Sequence, residues 1–287
     1  MIITIAAQNL LNGGIIGVDG KPEDRWPLLV KRIESIKPRP DLLLVSEVQD
    51  WDKQGHRQLS RAIHDLGMDA LPIPPSNSGK HVALFYRRES VGRWKHWNVD
   101  YAKGVTHGFG VAAFDVGLPQ LLSVVPVHLD PFSQNRALTE IQIVATRGYR
   151  YGPFAVIGGD INYAPAQDPE PDFKTMRPYN RASRTALKDP AKSGELESYR
   201  RISWALEAAG YVDVARHLYE QTKSKKYLKK TADGEYRIDQ FWVTEPLAPA
   251  VTSYEVLDKP VGASDHKGIV FRLDTDKVDT TAKLDYS

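Results

Sequence analysis

The chain has 287 residues, 41% of them apolar, with 21 glycines, an ordinary globular composition with ample material for a core. Lys plus Arg number 38 and Asp plus Glu 36, for a net charge of +2, which neither requires nor excludes a polyanionic partner because a local basic face suffices. With no cysteine, disulfides, thiolate catalysis and a cysteine zinc site are excluded, and no apolar run reaches the length of a membrane span.

Met1-Ile-Ile-Thr-Ile-Ala-Ala lacks a basic leader and runs straight into Gln8-Asn9, so it reads as a first strand, not a signal segment. A soluble, monomeric protein of the cytoplasm is the expectation. Apolar, β-branched runs predict strands at Ile2–Ala7, Leu42–Val45, His81–Tyr86, Gly110–Asp115, Leu121–Val127, Phe154–Ile157, Gln240–Val243 and Gly268–Leu273. Helical periodicity marks Arg25–Ile36, Gly55–Asp65, Asn135–Arg147 and Glu195–Ala209. Tyr163–Asp189, rich in Pro and Arg, reads as a long functional loop. Residues 1–273 are expected to form one α/β domain, with Asp274–Ser287 a frayed polar tail.

The strand candidates end in polar clusters, which core strands have no structural reason to do. The first delivers Gln8-Asn9, the second Ser46-Glu47, and the fifth His128-Leu-Asp130. The sixth ends in Gly158-Gly-Asp160-Ile-Asn162. Residues i and i+2 of a strand share a face, so Asp160 and Asn162 are expected side by side beside an open glycine backbone. An acid next to an amide donor suits a reaction that needs a base and oxyanion stabilisation. Asp and Asn after a strand are also ordinary turn residues.

Tyr236-Arg-Ile-Asp239 precedes one strand and Ser264-Asp265-His266 another. Asn9, Glu47, Asp160 and Asp265 form an oxygen-rich set of the kind hard divalent ions prefer. His128 and His266 suit donation to a phosphate oxygen, with Asp239 a candidate orienter. Taken singly, each acid is open to a reading as a cap or surface pair, and each histidine as a satisfied neutral side chain. Six such clusters in one order are not explained that way. The basic run Lys223–Lys230 reads either as a solvated face or as a phosphate-contacting surface.

The order Asn9, Glu47, His128, Gly159-Asp-Ile-Asn162, Arg237-Ile-Asp239 and Ser264-Asp-His266 resembles the endonuclease/exonuclease/phosphatase superfamily, from about Ile2 to Leu273. That group includes deoxyribonuclease I, exonuclease III-type AP endonucleases, neutral sphingomyelinases and inositol-polyphosphate 5-phosphatases. The resemblance implies a four-layer α/β sandwich with two mixed sheets packed face to face between helices. It also implies a Mg²⁺-dependent phosphoester hydrolase, with Mn²⁺ a possible substitute.

Carried over, Glu47, Asn9 and Asp265 become metal ligands, and Asp160 activates water. Asn162 holds a phosphate oxygen, His266 with Asp239 contacts the phosphate, and His128 acts near the leaving group. Substrate contacts are expected from Asp130, Arg177, Arg181, Arg184, Lys225, Lys226 and Lys229. Two departures count against a DNA-repair role: Leu10-Leu-Asn12 follows Asn9 without an acid, and Glu47 lies in Ser-Glu-Val. A nuclease acting on DNA or RNA is the leading expectation. The alternatives are hydrolysis of a small phosphorylated metabolite or lipid head group, and a catalytically silent binding module.

Overall fold

Each expected apolar run forms a strand in the computed structural model, which describes residues 1–189, 191, 194–234 and 236–286. One sheet has the order β13 (Val251–Val256), β14 (Ile269–Asp274), β1 (Ile2–Asn9), β2 (Leu42–Gln49), β4 (Lys80–Tyr86), β3 (Asp69–Ala70). The other has the order β11 (Tyr211–Asp213), β12 (Asp239–Thr244), β8 (Ala155–Asp160), β7 (Leu122–His128), β6 (Val111–Phe114), β5 (Trp94–Asn98). A two-stranded ribbon joins β9 (Thr185–Leu187) and β10 (Leu196–Ser198). β1–β2 and β7–β8 are parallel pairs, and the other pairs are antiparallel.

Three apolar layers explain why the central strands read as continuous apolar runs: both of their faces are buried. Ile3, Ile5, Leu42, Leu44 and Leu84 from the first sheet interdigitate with Phe114, Val124, Val156 and Phe241 from the second. The outer face of the first sheet (Leu43, Val45, Phe85) is covered by α1 (Trp26–Glu34) and α2 (Arg57–Leu66). The outer face of the second (Val125, Ile157) is covered by α4 (Gln134–Gly148) and α6 (Arg201–Ala208). The result is a four-layer α/β sandwich. Three further helices, α3 (Arg88–Val91), α5 (Pro178–Arg184) and α7 (Val214–Thr222), lie outside those two layers. No helix among the described residues is long and apolar enough to cross a membrane.

Three expectations need correction. The helix expected over Glu195–Ala209 begins only at Arg201, because Leu196–Ser198 is β10. Tertiary bonds override the helical pattern there: the Ser198 amide donates to Glu170 (3.1 Å) and the Tyr199 amide to the Arg184 carbonyl (2.9 Å). The expected loop Tyr163–Asp189 contains α5 and β9. Nor is the tail frayed. Asp274 closes β14, Val278 is buried, and Leu284 exchanges hydrogen bonds with the Gln120 side chain. The last tail residue, Ser287, lies outside the described residues.

One buried ion cluster ties the second sheet together. Arg237, 2% exposed, donates to both Asp213 oxygens (3.1 and 2.6 Å) and both Asp168 oxygens (3.2 Å each). Asp213 also caps α7, accepting from the amides of Ala215 and Arg216. Replacing Arg237 by Met would leave two carboxylates unpaired in the interior. Urea unfolding is expected to show a loss of about 3–5 kcal/mol, whereas a change below 1 kcal/mol would mean that water replaces the guanidinium.

Candidate active site

The carboxyl end of β8 is the centre of the site. In register, Asp160 lies between His128 of β7 and Asp239 of β12, so three polar side chains form a row across adjacent strands. Gly159 makes that row possible. Its φ is +133°, and a Cβ there would fall well inside contact distance of the Val127 carbonyl oxygen. An L side chain fits neither the conformation nor the space.

The first sheet supplies the facing wall. At β2 the register with β4 slips between Ser46 and Val48, and Glu47, the bulged residue, takes φ +59°. A bulge re-aims a side chain, and Glu47 turns toward β1, where Asn9 Nδ2 lies 3.4 Å from Glu47 Oε1 and 3.1 Å from Asp160 Oδ2. Asn9 thereby links the two sheets. Ser264 Oγ donates to the Asn9 carbonyl (2.8 Å) and accepts from the His266 amide (3.1 Å). His266 Nδ1 donates to Asp239 Oδ2 at 2.9 Å. Buried Arg25 donates to the carbonyls of Leu11, Ile16 and Ala263, clamping the Asn9 loop to the Ser264–His266 loop.

Asp160 Oδ2 is the point of convergence, with Asn9 Nδ2 at 3.1 Å, His128 Nε2 at 3.7 Å and His266 Nε2 at 3.8 Å. Burial pushes the Asp160 carboxyl up; Asp239 and Glu47 add to the rise, while His266 and Arg184 oppose it. Burial alone would lower His266, but the carboxylates of Asp239 and Asp160 outweigh it and keep the ring protonated well above its ordinary range. His128 goes the other way: burial and the neighbouring His107 keep it neutral. The two rings stack at 3.9 Å with planes 10° apart, and burial holds His107 at about 4.

Burial would raise Glu47 as well. The Lys80 ammonium at 2.9 Å and the Asn12 amide act against it, and the carboxyl lies at about 2.

The oxygen set suits a hard cation. Glu47 is a permanent carboxylate, and Asp265 Oδ1 is buried with no hydrogen-bond partner among the described residues, an acceptor left for a cation. Asn9 differs from the expectation of a ligand oxygen. Its Oδ1 accepts from the Leu11 amide (3.0 Å), so it presents an N–H to the carboxylates. Asp160, Asp239 and His266 also bring ligand atoms within 4.8 Å of one another. With His266 protonated and bonded to Asp239, this trio is better suited to handling protons than to holding an ion.

The remaining expected residues separate. Asn162 lies past the end of β8 at φ +66°, its amide donating to Asp160 Oδ1 (3.0 Å), so a turn and not a shared strand face brings the pair together. Its side chain donates to the Leu129 carbonyl and accepts from buried Arg184, both at 2.9 Å, which leaves one amide hydrogen for a ligand. Arg177 and Arg184 line a cavity of about 170 Å³ with Tyr179, Asp265 and His266. Arg181 lines a different groove, with Phe173 and Leu196.

Asp130 is taken up by its own loop. It accepts from Thr106 Oγ1 (3.0 Å) and from the amides of Phe132 and Ser133 (2.8 Å each). Lys225, Lys226 and Lys229 are exposed, and the latter two line a groove with Arg32, Tyr254 and Arg272 at the β13–β14 edge, outside the His266 cavity. Lys80 and His107 are the residues that sequence reasoning missed. Ser-Gly-Lys80 is a polar strand start like the others and was a usable signal; nothing local distinguishes His107.

No protein-family model and no curated protein matches the chain. Solved structures do. An AP endonuclease from Archaeoglobus fulgidus superposes with TM-score 0.65 at 16% identity, over 95% of this chain and 100% of that one. An endonuclease/exonuclease/phosphatase family protein from Bacteroides thetaiotaomicron gives 0.61 at 17% identity, over 95% and 97%. ANGEL2, a 2′,3′-cyclic phosphatase, gives 0.59 at 12% identity, over 95% of each. The chain therefore has the fold of the endonuclease/exonuclease/phosphatase proteins.

Gly159→Ala tests the backbone constraint. Positive-φ strain and the clash with Val127 are expected to cost about 2 kcal/mol or more, seen as a lowered melting temperature. An unchanged melting temperature would mean that the β7–β8 pair is not tightly held.

Proposed function

We propose that the chain is a divalent-metal-dependent phosphodiester hydrolase whose substrate is DNA or RNA. The observation that carries the reading is the convergence on one buried oxygen, Asp160 Oδ2, of Asn9, His128 and His266 from both sheets. A carboxylate whose affinity for protons is raised by burial is suited to take a proton from water. The protonated His266, oriented by Asp239, supplies positive charge and an N–H to a phosphate oxygen. Asn162, fixed by Arg184 and Leu129, offers its second amide hydrogen to the same group. Neutral His128 stands on the opposite flank, toward the leaving oxygen. Glu47 and Asp265 would hold the ion, which neutralises charge on the phosphate when bound, and Mg²⁺ fits this oxygen set.

A second reading has its own support. The 170 Å³ cavity beside His266, walled by Arg177, Arg184 and Tyr179, is the right scale for a small phosphoester. Structural neighbours include both an AP endonuclease and a cyclic phosphatase. Turnover of plasmid DNA, single-stranded DNA, RNA and inositol phosphates with Mg²⁺, Mn²⁺ or EDTA separates the readings. Steep salt dependence marks the polyanion.

Two substitutions test the roles. Asp160→Asn is expected to lower kcat by on the order of 10²–10⁴-fold with KM nearly kept; single-turnover rates within a few-fold of wild type would remove the base role. Glu47→Gln is expected to stay folded and lose most Mg²⁺ affinity in calorimetry. Unchanged binding in the folded protein would take Glu47 out of the ion site.

A further inference from the structure

Two exposed aromatic side chains belong to segments that lead from the candidate site, and nothing in the proposed chemistry uses them. Phe132 is 82% exposed and Tyr179 is 64% exposed. Single exposed apolar residues are ordinary; placement sets these two apart. Phe132 follows His128 by four residues, on the β7 side of Asp160. Tyr179 lines the cavity that contains His266, the partner of Asp239 on the β12 side. β7 and β12 are the two neighbours of β8, so the segments that carry the two aromatics adjoin strands on opposite sides of β8.

Phe132 is held out, not left loose. Asp130 Oδ1 accepts from both the Phe132 and Ser133 amides at 2.8 Å, and its other oxygen accepts from Thr106. The Asp130 amide in turn donates to buried Glu140 Oε2 (2.8 Å), which also holds Thr106. The shape of this turn is therefore imposed by buried hydrogen bonds that present an apolar ring to water. Each aromatic also belongs to a segment that carries an arginine. Arg177 donates to the Tyr179 hydroxyl (3.0 Å), and the Arg136 side chain, 63% exposed, is one turn into the helix that follows Phe132. A planar apolar ring beside a cation is the pairing that binds a base and its phosphate together.

We propose that Phe132 and Tyr179 are stacking platforms for the two bases that flank the cleaved phosphate, so that the substrate is a single-stranded or locally unpaired nucleic acid. The inference rests on the phosphodiesterase reading and narrows it: bases in an intact duplex are stacked on one another and have no free faces to offer. It also gives the 170 Å³ cavity an occupant, the sugar–phosphate on the Tyr179 side.

The test is fluorescence anisotropy in EDTA at fixed salt, where binding is read without turnover. The probes are a labelled short oligothymidylate, a base-free strand of the same length, and the oligothymidylate annealed to its complement. Wild type is expected to bind the single strand roughly tenfold or more above the base-free strand, and above the duplex. Phe132→Ala and Tyr179→Ala are each expected to lose about 5- to 150-fold of that affinity, and to approach equal affinity for the two strands. Phe132→Trp is expected to retain the discrimination.

Equal binding of both strands by wild type, or unchanged oligothymidylate affinity in both alanine variants, overturns the proposal. So does a loss in those variants confined to binding of anionic phospholipid vesicles, which would make the rings a membrane contact. The hydrolase reading fails separately: it falls if wild type hydrolyses no phosphoester with Mg²⁺ or Mn²⁺, whatever the strands show.

Discussion

The architecture depends on the close approach of backbone and side chain along the glycine pair of β8. A Cβ on Gly158 would run into the Phe241 ring and come near Leu44 of the facing sheet, while one on Gly159 would strike the Val127 carbonyl. Removing both side chains lets β7, β8 and β12 draw together at their ends and lets the first sheet close over them. Asn9 of β1 can then reach Asp160 of β8 at 3.1 Å. A site assembled from both sheets needs the sheets nearest where the chemistry is, and packing density elsewhere is set by ordinary apolar interdigitation.

That closeness has an electrostatic consequence. Carboxylates buried near one another repel and resist ionisation, so each needs a compensating group. The chain supplies them locally: Lys80 for Glu47, Arg184 and His266 around Asp160, and Arg237 between Asp168 and Asp213. Arg237 belongs to the Arg-Ile-Asp segment whose last residue orients His266, yet it points the other way and locks β11, β12 and the loop after β8. One short segment thus anchors the scaffold with Arg237 and the site with Asp239.

The fold was legible because the central strands are buried on both faces and carry unbroken apolar runs, which periodicity can find. What escaped was edge structure. β5 (Trp-Lys-His-Trp-Asn) is largely exposed, and β13 is interrupted by a register shift after Val251, so neither shows a clean pattern. β10 was read as helix because Ser198 and Tyr199 are held by Glu170 and Arg184, partners remote in sequence. At the site, polar residues at strand ends were visible as clusters. Their directions were not: Asp130 turns back to brace its own loop, and Asn9 turns its oxygen to Leu11. His107 reaches His128 only through the fold of the loop before β6, which no local pattern encodes.

The two histidines facing Asp160 show why residue type alone could not assign roles. Both are buried, and burial by itself would strip the charge from either. His266 has a carboxylate at 2.9 Å on one ring nitrogen and a second at 3.8 Å on the other, and it stays charged. His128 shares the Asp160 oxygen at 3.7 Å, but its Nδ1 has no hydrogen-bond partner among the described residues and its face is covered by a second imidazole. Charging it would bury a cation against His107 and near an already protonated His266. The same carboxylate therefore has a cation on one side and a neutral ring on the other. A phosphate group placed between them would meet positive charge on the His266 flank and an uncharged ring on the His128 flank. This polarity is set by the Asp239 carboxylate on His266, which has no counterpart on His128.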